Sequence, residues 1–325
     1  MTQKAQKTQK KQTTQKTQKT QKTVLIVSGT NDLHALAVRR ELGSRDCHVR
    51  FLACDRIRDH PLSFEYGREP TLVIGGRGLE VGAVSTVWWR RPALHQRLPV
   101  GALDDDQVHF VDTNATATLR SFLSASFRGT WVSSPEATDR AGDKIHQLAV
   151  ARQQGLRVPD TLLSNDPSAV RDFHRRHHGR VIIKAARNSG RVFLATCPVD
   201  LDRISDAQIR AVPGIYQEWI PGTAHLRVNC FGDEVHAALI ETDDLDWRPN
   251  INVPVTPYTL DPALERQLIA LLRALDLKVG MMDLKLTDQG DPVWFEVNPQ
   301  GQFLFLEPLT GQGLLASFAD FLIRQ

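Results

Sequence analysis

Short apolar runs alternate with amphipathic stretches along most of the chain. Thr23-Val24-Leu25-Ile26-Val27-Ser28 is apolar at every interior position, the pattern of a strand buried on both faces. Gly29 and Asn31-Asp32 interrupt it, and Leu33, Leu36, Ala37, Arg40 and Leu42 continue at helical spacing. Val49-Arg50-Phe51-Leu52-Ala53 reads as a second strand. A β-α-β opening of this kind predicts a doubly wound α/β unit at the start of the fold. No GxGxxG follows the first strand, so a dinucleotide site has little support.

The next strand, within 84–92, ends in Trp88-Trp89-Arg90-Arg91-Pro92. It sets two guanidinium groups at the carboxyl edge of the sheet, where open α/β sheets bind their ligands. Arg90 and Arg91 are therefore candidate substrate-binding residues, because the guanidinium fork suits carboxylate or phosphate. The alternative is a pair of surface arginines anchored by core tryptophans. A helical stretch through Val108, Val111, Ala115, Leu119 and Phe122 leads to Trp131-Val132. Ser134-Pro135-Glu136 opens a helix expected to run past Lys144, Leu148 and Ala149 to Gly155. A strand at 158–163, a helix from Pro167 and the strand Val181-Ile182-Ile183-Lys184-Ala185 follow. The last third predicts strands at 215–220, 226–231 and 234–241, a helix at 262–275, strands at 280–287 and 292–298, and a final helix at 313–323. The fold class expected is thus α/β and α+β, an N-terminal doubly wound domain followed by two α+β lobes clasping a ligand. The divisions are a tail at 1–23, an N-terminal domain at 24–128, a central lobe at 129–214 and a C-terminal lobe at 215–325.

Composition changes this picture in one place. The formal charge of +3 over 325 residues includes seven lysines within residues 1–23, so the rest carries about −4. This Thr/Gln/Lys run has nothing to bury and is expected to be disordered. The remaining body offers no electrostatic footprint for nucleic acid. Cys47, Cys54, Cys197 and Cys230 form no CxxC pair, which fits reduced thiols in a cytoplasm. No run reaches the roughly 20 apolar residues of a membrane span.

Candidate chemistry concentrates in the last two thirds. In Val293-Trp294-Phe295-Glu296-Val297-Asn298-Pro299, Glu296 and Asn298 are two apart and share a strand face. Asp283, in Met281-Met282-Asp283-Leu284-Lys285, lies on the other strand of the expected hairpin. Two carboxylates and an amide oxygen on one face suit Mg²⁺ and leave positions for phosphates and water. Lys184 closes an apolar strand, where an unpaired ammonium is costly. Lys184 and Lys144 both suit nucleotide phosphates, although Lys144 alone would read as an ordinary exposed lysine. Tyr216-Gln217-Glu218-Trp219-Ile220-Pro221-Gly222 is a strand running into a turn, a segment able to edge a base. Arg227 and Arg248 are candidates for stabilising charge on a phosphoryl group or for holding a carboxylate, the alternative being pairs with Asp243, Asp244 or Asp246.

Lysine on a helix, lysine on a strand, Gln-Glu-x-Ile, a strand arginine, Asp and then Glu-x-Asn is an order that resembles the ATP-grasp superfamily across 130–310. The resemblance implies the ATP-grasp fold, with ATP and Mg²⁺ as cofactors. It puts Lys144 and Lys184 on ATP phosphates, Glu218, Trp219 and Ile220 at the adenine, and Asp283, Glu296 and Asn298 on magnesium. Arg227 would face the phosphates, with Arg248 as a second catalytic arginine. His225 stands where relatives carry an acidic residue beside the ribose. The loop Asn188-Ser189-Gly190-Arg191 would be a short lid.

Further segments resemble the microviridin (graspetide) branch: Trp88-Trp89-Arg90-Arg91-Pro92, Gln147-Leu148, Gly155-Leu156, Pro159-Asp160-Thr161, Asn165-Asp166-Pro167, Asp246-Trp247-Arg248 and Asn298-Pro299-Gln300-Gly301-Gln302-Phe303. That branch implies a cytoplasmic ligase forming ADP and phosphate. It would activate Asp or Glu side chains of a ribosomally made precursor peptide, with leader and core, as acyl phosphates. Ser/Thr hydroxyls or Lys amines would then close ω-ester or ω-amide rings. Neither nucleic acid nor membrane is implied as a partner, and a homodimer is compatible. The alternatives are a ligase acting on free amino acids or adding glutamate to a protein terminus, and a nucleotide-binding regulator without turnover.

Overall fold

The computed structural model describes residues 21–63, 68–92, 96, 101, 103–186, 196–250 and 252–325. Residues 1–20 of the tail and the loop Asn188-Ser189-Gly190-Arg191 lie outside the described residues. Gln21 and Lys22 already belong to the body. Gln21 Nε2 donates to Asp46 Oδ1 at 2.8 Å, and the His48 N–H donates to the Lys22 carbonyl at 2.9 Å.

The first unit runs β1 (Thr23–Ser28), α1 (Leu33–Gly43), β2 (His48–Ala53), β3 (Leu62–Ser63), β4 (Thr71–Ile74), β5 (Arg77–Glu80), β6 (Thr86–Trp89), α2 (Asp105–Ser126) and β7 (Thr130–Val132). Its main sheet is parallel in the order β2-β1-β6-β7, with β3-β4-β5 as a separate antiparallel meander absent from the sequence reading. The strand order reverses at β1, so the carboxyl ends of β1 and β6 flank a switch point. Asp32 caps α1 there, its Oδ1 accepting from the His34 and Ala35 N–H groups. That cap fixes the helix phase differently from the expectation. Ala35, Val38 and Leu42 face the sheet, while Leu33 and Leu36 are exposed.

The central lobe runs α3 (Pro135–Arg140), α4 (Lys144–Gln153), β8 (Thr161–Ser164), α5 (Pro167–Arg176), β9 (Val181–Lys184), β10 (Cys197–Pro198), α6 (Asp206–Ala211) and β11 (Gly214–Glu218). Its sheet has the order β10-β9-β11-β8 and packs on α5 and α6 around Val170, Phe173, Val181, Ile209 and Tyr216. The single helix expected from Ser134 to Gly155 is two. The chain breaks at Ala141-Gly142-Asp143, and Asp143 caps α4 so that Lys144 becomes its first residue.

The last lobe runs β12 (Ala224–Phe231), β13 (Glu234–Glu241), β14 (Val255–Tyr258), α7 (Pro262–Ala274), β15 (Val279–Leu286), β16 (Pro292–Asn298), α8 (Glu307–Thr310) and α9 (Leu314–Arg324). The antiparallel sheet β14-β13-β12-β15-β16 shares one core with α4 and α7 around Leu226, Leu268, Met282 and Trp294. A second core joins the last lobe to the first sheet. Phe318 of α9 meets Trp88 at 4.8 Å and Phe231 at 4.9 Å between ring centroids. Strand pairing also moves two expected boundaries. β7, past 128, completes the first sheet, and β11, which a division at 215 would cut away, belongs with β8 and β9.

Candidate active site

Three charged residues stand in one row across the last sheet. Arg227 on β12 is opposite Asp283 on β15, which is opposite Glu296 on β16. Asn298 falls one alternation further along, opposite Met281. Phe295 is an extra residue in β16, a bulge between Trp294 opposite Leu284 and Glu296 opposite Asp283. The next position of the same β15 face pairs Lys285 with His225. Glu218 at the end of β11, Trp219 and Ile220 just after it, and Lys184 of β9 face these two rows across a cleft that also includes Asp246, Trp247 and Arg248.

The cations and carboxylates of the cleft are in contact. Arg227 Nη1 donates to Asp283 Oδ1 at 2.9 Å, and Lys144 Nζ lies 3.4 Å from Glu296 Oε2. Arg248 grips Asp246 with two bonds, Nε to Oδ1 at 2.7 Å and Nη2 to Oδ2 at 2.6 Å, and reaches Glu296 Oε1 at 3.3 Å through Nη1. Lys184 Nζ sits 5.2 Å from the Phe295 ring centroid. Burial pushes Lys184 down to about 8, against the pull of Glu296 and with the help of Lys144 and Arg248. Burial opposes ionisation of Glu296, but Lys144, Lys184 and Arg248 outweigh it and hold its carboxyl below the ordinary value. Asp283 is driven the other way. Burial raises it, Arg227 offsets part of that, and Glu296 adds like-charge repulsion.

This difference bears on magnesium. Two carboxylates stand side by side in a half-buried row, and burial outweighs Arg227 in holding the Asp283 carboxyl above its ordinary value. A divalent cation would supply what is missing, and the oxygen donor set fits Mg²⁺. Asn298 Oδ1 accepts from the Gln300 N–H at 2.9 Å and keeps a second lone pair.

The remaining predicted residues fall out as follows. Burial, then Lys285, pushes His225 down to about 4, leaving a neutral imidazole whose Nε2 is buried without a hydrogen-bond partner among the described residues. Arg90 does not reach a ligand surface. It is 1% exposed, with Nε on Asp32 Oδ2 at 2.8 Å and Nη1 on the Gln300 and Gly301 carbonyls at 3.2 and 3.0 Å. It therefore braces the first sheet against the turn after β16, which corrects its expected substrate role. Arg91 is exposed and lines a groove with Leu33, His34, Asp55, Gln302, Leu304 and Phe305. The sequence reading carried Gln147 and Gly301 only within segments of the microviridin resemblance and gave neither a role: Gln147 clamps Val297, and Gly301 packs against Arg227.

Residues 141–320 match the RimK-like ATP-grasp domain family. A probable alpha-L-glutamate ligase of Xanthomonas oryzae pv. oryzae (strain MAFF 311018) is 30% identical over 200 residues, covering 56% of this chain and 64% of that protein. Its counterpart in Pseudoalteromonas translucida (strain TAC 125) is 25% identical over 197 residues, covering 57% and 64%. The chain thus spans just under two thirds of the length of both relatives. Among solved structures, the macrocyclase MdnC bound with precursor peptide MdnA, from Microcystis aeruginosa MRC, superposes with a TM-score of 0.84 at 27% identity, over 93% of this chain and 100% of that one. The Chryseobacterium gregarium RiPP-associated ATP-grasp ligase, in complex with ADP and a leader and core peptide, gives 0.81 at 24% identity over 93% and 97%, a likeness of fold. No helix among the described residues is long and apolar enough to cross a membrane. With a family match running over more than half of its length and through the very strands that carry the cleft, the chain belongs to the RimK-like ATP-grasp family.

Proposed function

We propose that this chain is an ATP-dependent ligase that closes rings in a ribosomally made precursor peptide, joining an Asp or Glu side chain to a hydroxyl or amine of the same peptide. A carboxylate is a poor electrophile. Attack of its oxygen on the terminal phosphorus of ATP releases ADP and gives an acyl phosphate. The hydroxyl or amine then attacks the acyl carbon, phosphate leaves, and the nucleophile's proton passes to phosphate or solvent.

Lys144, Lys184, Arg227 and Arg248 supply the positive charge that such a transfer needs around the phosphoryl oxygens. Asp283, Glu296 and Asn298 would hold Mg²⁺, which when bound neutralises phosphate charge. Glu218, Trp219, Ile220 and His225 form the end of the cleft proposed for adenine and ribose. No covalent protein nucleophile is required. Cys54 and Cys230 are pushed up to about 12 by burial and are poor thiolates.

The observation that carries the peptide reading is a shared aromatic wall. Trp247 of the cleft stacks on Phe305 of the Arg91 groove at 5.7 Å between centroids and 28° between planes. A peptide lying in the groove could present a side chain past this wall to the phosphates. The resemblance to MdnC over its whole length supports the same reading. The test is mass spectrometry of the full chain incubated with ATP, Mg²⁺ and a candidate precursor carrying acidic and hydroxyl or amine side chains. Each ring removes the mass of one water. The second reading, glutamate ligation, is favoured by the curated relatives. Release of ADP with free glutamate and with no peptide tried would replace the first reading by the second.

A further inference from the structure

We propose that Asp160, His177 and Glu218 form a second metal site, distinct from the magnesium carboxylates and suited to a borderline transition ion such as Zn²⁺. Among the described residues they are the group of His, Cys, Asp and Glu whose ligand atoms come together, all within 4.8 Å of one another. The three come from separate elements. Asp160 directly precedes β8, His177 is the cap that ends α5, and Glu218 is the last residue of β11.

The backbone fixes two of them against each other. The Glu218 N–H donates to the Asp160 carbonyl at 2.8 Å, and the Asp160 N–H donates to Glu218 Oε2 at 3.2 Å. His177 is held by its ring, which packs on Phe173 at 4.4 Å between centroids. Its side chain is 13% exposed, and its Nε2 is buried with no hydrogen-bond partner, 3.8 Å from Asp160 Oδ2. That separation is too long for a hydrogen bond. It is close to the spacing of two donors that each sit about 2.0–2.2 Å from a shared zinc. The ring nitrogen is thus a buried polar atom without a hydrogen bond, and an ion held between it and the solvent-facing carboxylate would satisfy it.

Donor chemistry separates this cluster from the catalytic one. One imidazole nitrogen with two carboxylate oxygens suits zinc and its neighbours, whereas Mg²⁺ favours oxygen ligands alone. Three protein ligands leave a fourth position for water, so the site is open rather than a closed structural one. The ion would tie α5, β8 and β11 together beside Glu218, Trp219 and Ile220, the segment that edges the nucleotide cleft.

The test uses the full-length chain, free of any added histidine tag and stripped with a chelator. Zn²⁺ is titrated by calorimetry and Co²⁺ by visible absorption, both without nucleotide. One equivalent is expected to bind, with affinity weakened about tenfold or more in His177→Gln and in Asp160→Asn. The same equivalent should persist in the Asp283→Asn/Glu296→Gln double variant. Because the Asp160 side chain is 62% exposed, loss in Asp160→Asn cannot be put down to misfolding. Unchanged affinity in the two single variants, loss in the double variant instead, or no binding of either ion would each overturn the site.

Discussion

Arg227 is confined on several sides, and one glycine makes that possible. Besides Asp283, its Nη2 donates to the Gln302 carbonyl at 3.0 Å, and its guanidinium lies 5.9 Å from the Trp247 ring centroid. A Cβ on Gly301 would fall 2.8 Å from the Met281 Cβ and 3.0 Å from Arg227 Nη2. The arginine could swing aside, but the Met281 Cβ cannot, so the turn after β16 must shift. Gly301→Ala is therefore expected to lower kcat by about tenfold or more through misplacement of Arg227. Steady-state ADP release checks this, alongside a melting curve showing the fold intact. Asp283→Ala and Glu296→Ala should each reduce ADP release to background through lost charge neutralisation, and rates like the wild type's would remove the proposed magnesium site. His34 offers a pH test away from these carboxylates. Its Nε2 accepts from the Phe303 and Leu304 N–H groups at 2.9 and 3.1 Å, a role open only to the neutral ring. Burial, then Arg90, pushes it from 6.5 down to about 4. The unfolded chain binds the proton more readily, so this contribution is complete above pH 6.5 and is lost as pH falls from 6.5 towards 4. His34→Gln should flatten part of the fall in melting temperature across that window. Such residue-level features were legible only in part. Asp283 and Glu296 followed from hairpin register, a local property of the sequence. Arg90 did not, because its burial is decided by Asp32 and by two carbonyls more than two hundred residues away.

At the scale of elements, the strand that carries two of the candidate metal ligands is an edge strand that a helix completes. β16 ends the order β14-β13-β12-β15-β16, leaving one side without a strand partner. Gln147 of α4 takes that place. Its Nε2 donates to the Val297 carbonyl at 2.9 Å and its Oε1 accepts from the Val297 N–H at 2.9 Å, as a neighbouring peptide group would. Val297 lies between Glu296 and Asn298, so the clamp sets the position of both candidate ligands. It also ties them to the helix that carries Lys144. Gln147→Leu would leave a buried N–H and C=O unpaired and is expected to destabilise the fold by about 2 kcal/mol or more. The variant should also raise the Mg²⁺ concentration needed for half-maximal turnover, an effect that general loosening elsewhere would not produce. Equal magnesium dependence in variant and wild type would reduce Gln147 to a structural part. The β15–β16 hairpin was legible because two apolar runs flank Asp288-Gln289-Gly290-Asp291, which supplies the turn. The break between α3 and α4 was not, since a capping aspartate inside a continuous helical pattern overrides periodicity without altering it.

For the molecule as a whole, the chain's last helix belongs to its first sheet. α9 packs beside α1, and Phe318 is fully buried among Trp88, Phe231 and Phe303. The order of elements predicted an α/β unit and two α+β lobes, but it could not reveal that the first unit borrows a covering layer from the far end. Amphipathic helices do not carry the address of the surface they cover. The consequence for stability is cooperative. Residues 24–128 alone would lack both β7 and α9, exposing Val24, Ile26, Val38 and Trp88, all now buried. That fragment is expected to give a collapsed, poorly dispersed amide spectrum rather than that of a folded domain. In the intact chain, Phe318→Ala should cost about 3–5 kcal/mol. Because one core serves the first sheet and the last lobe, it should lower the melting of both together, read as one calorimetric transition displaced downward. Two transitions, with only the earlier one shifted, would mean that the first unit folds on its own and that the shared core is a contact between independent domains.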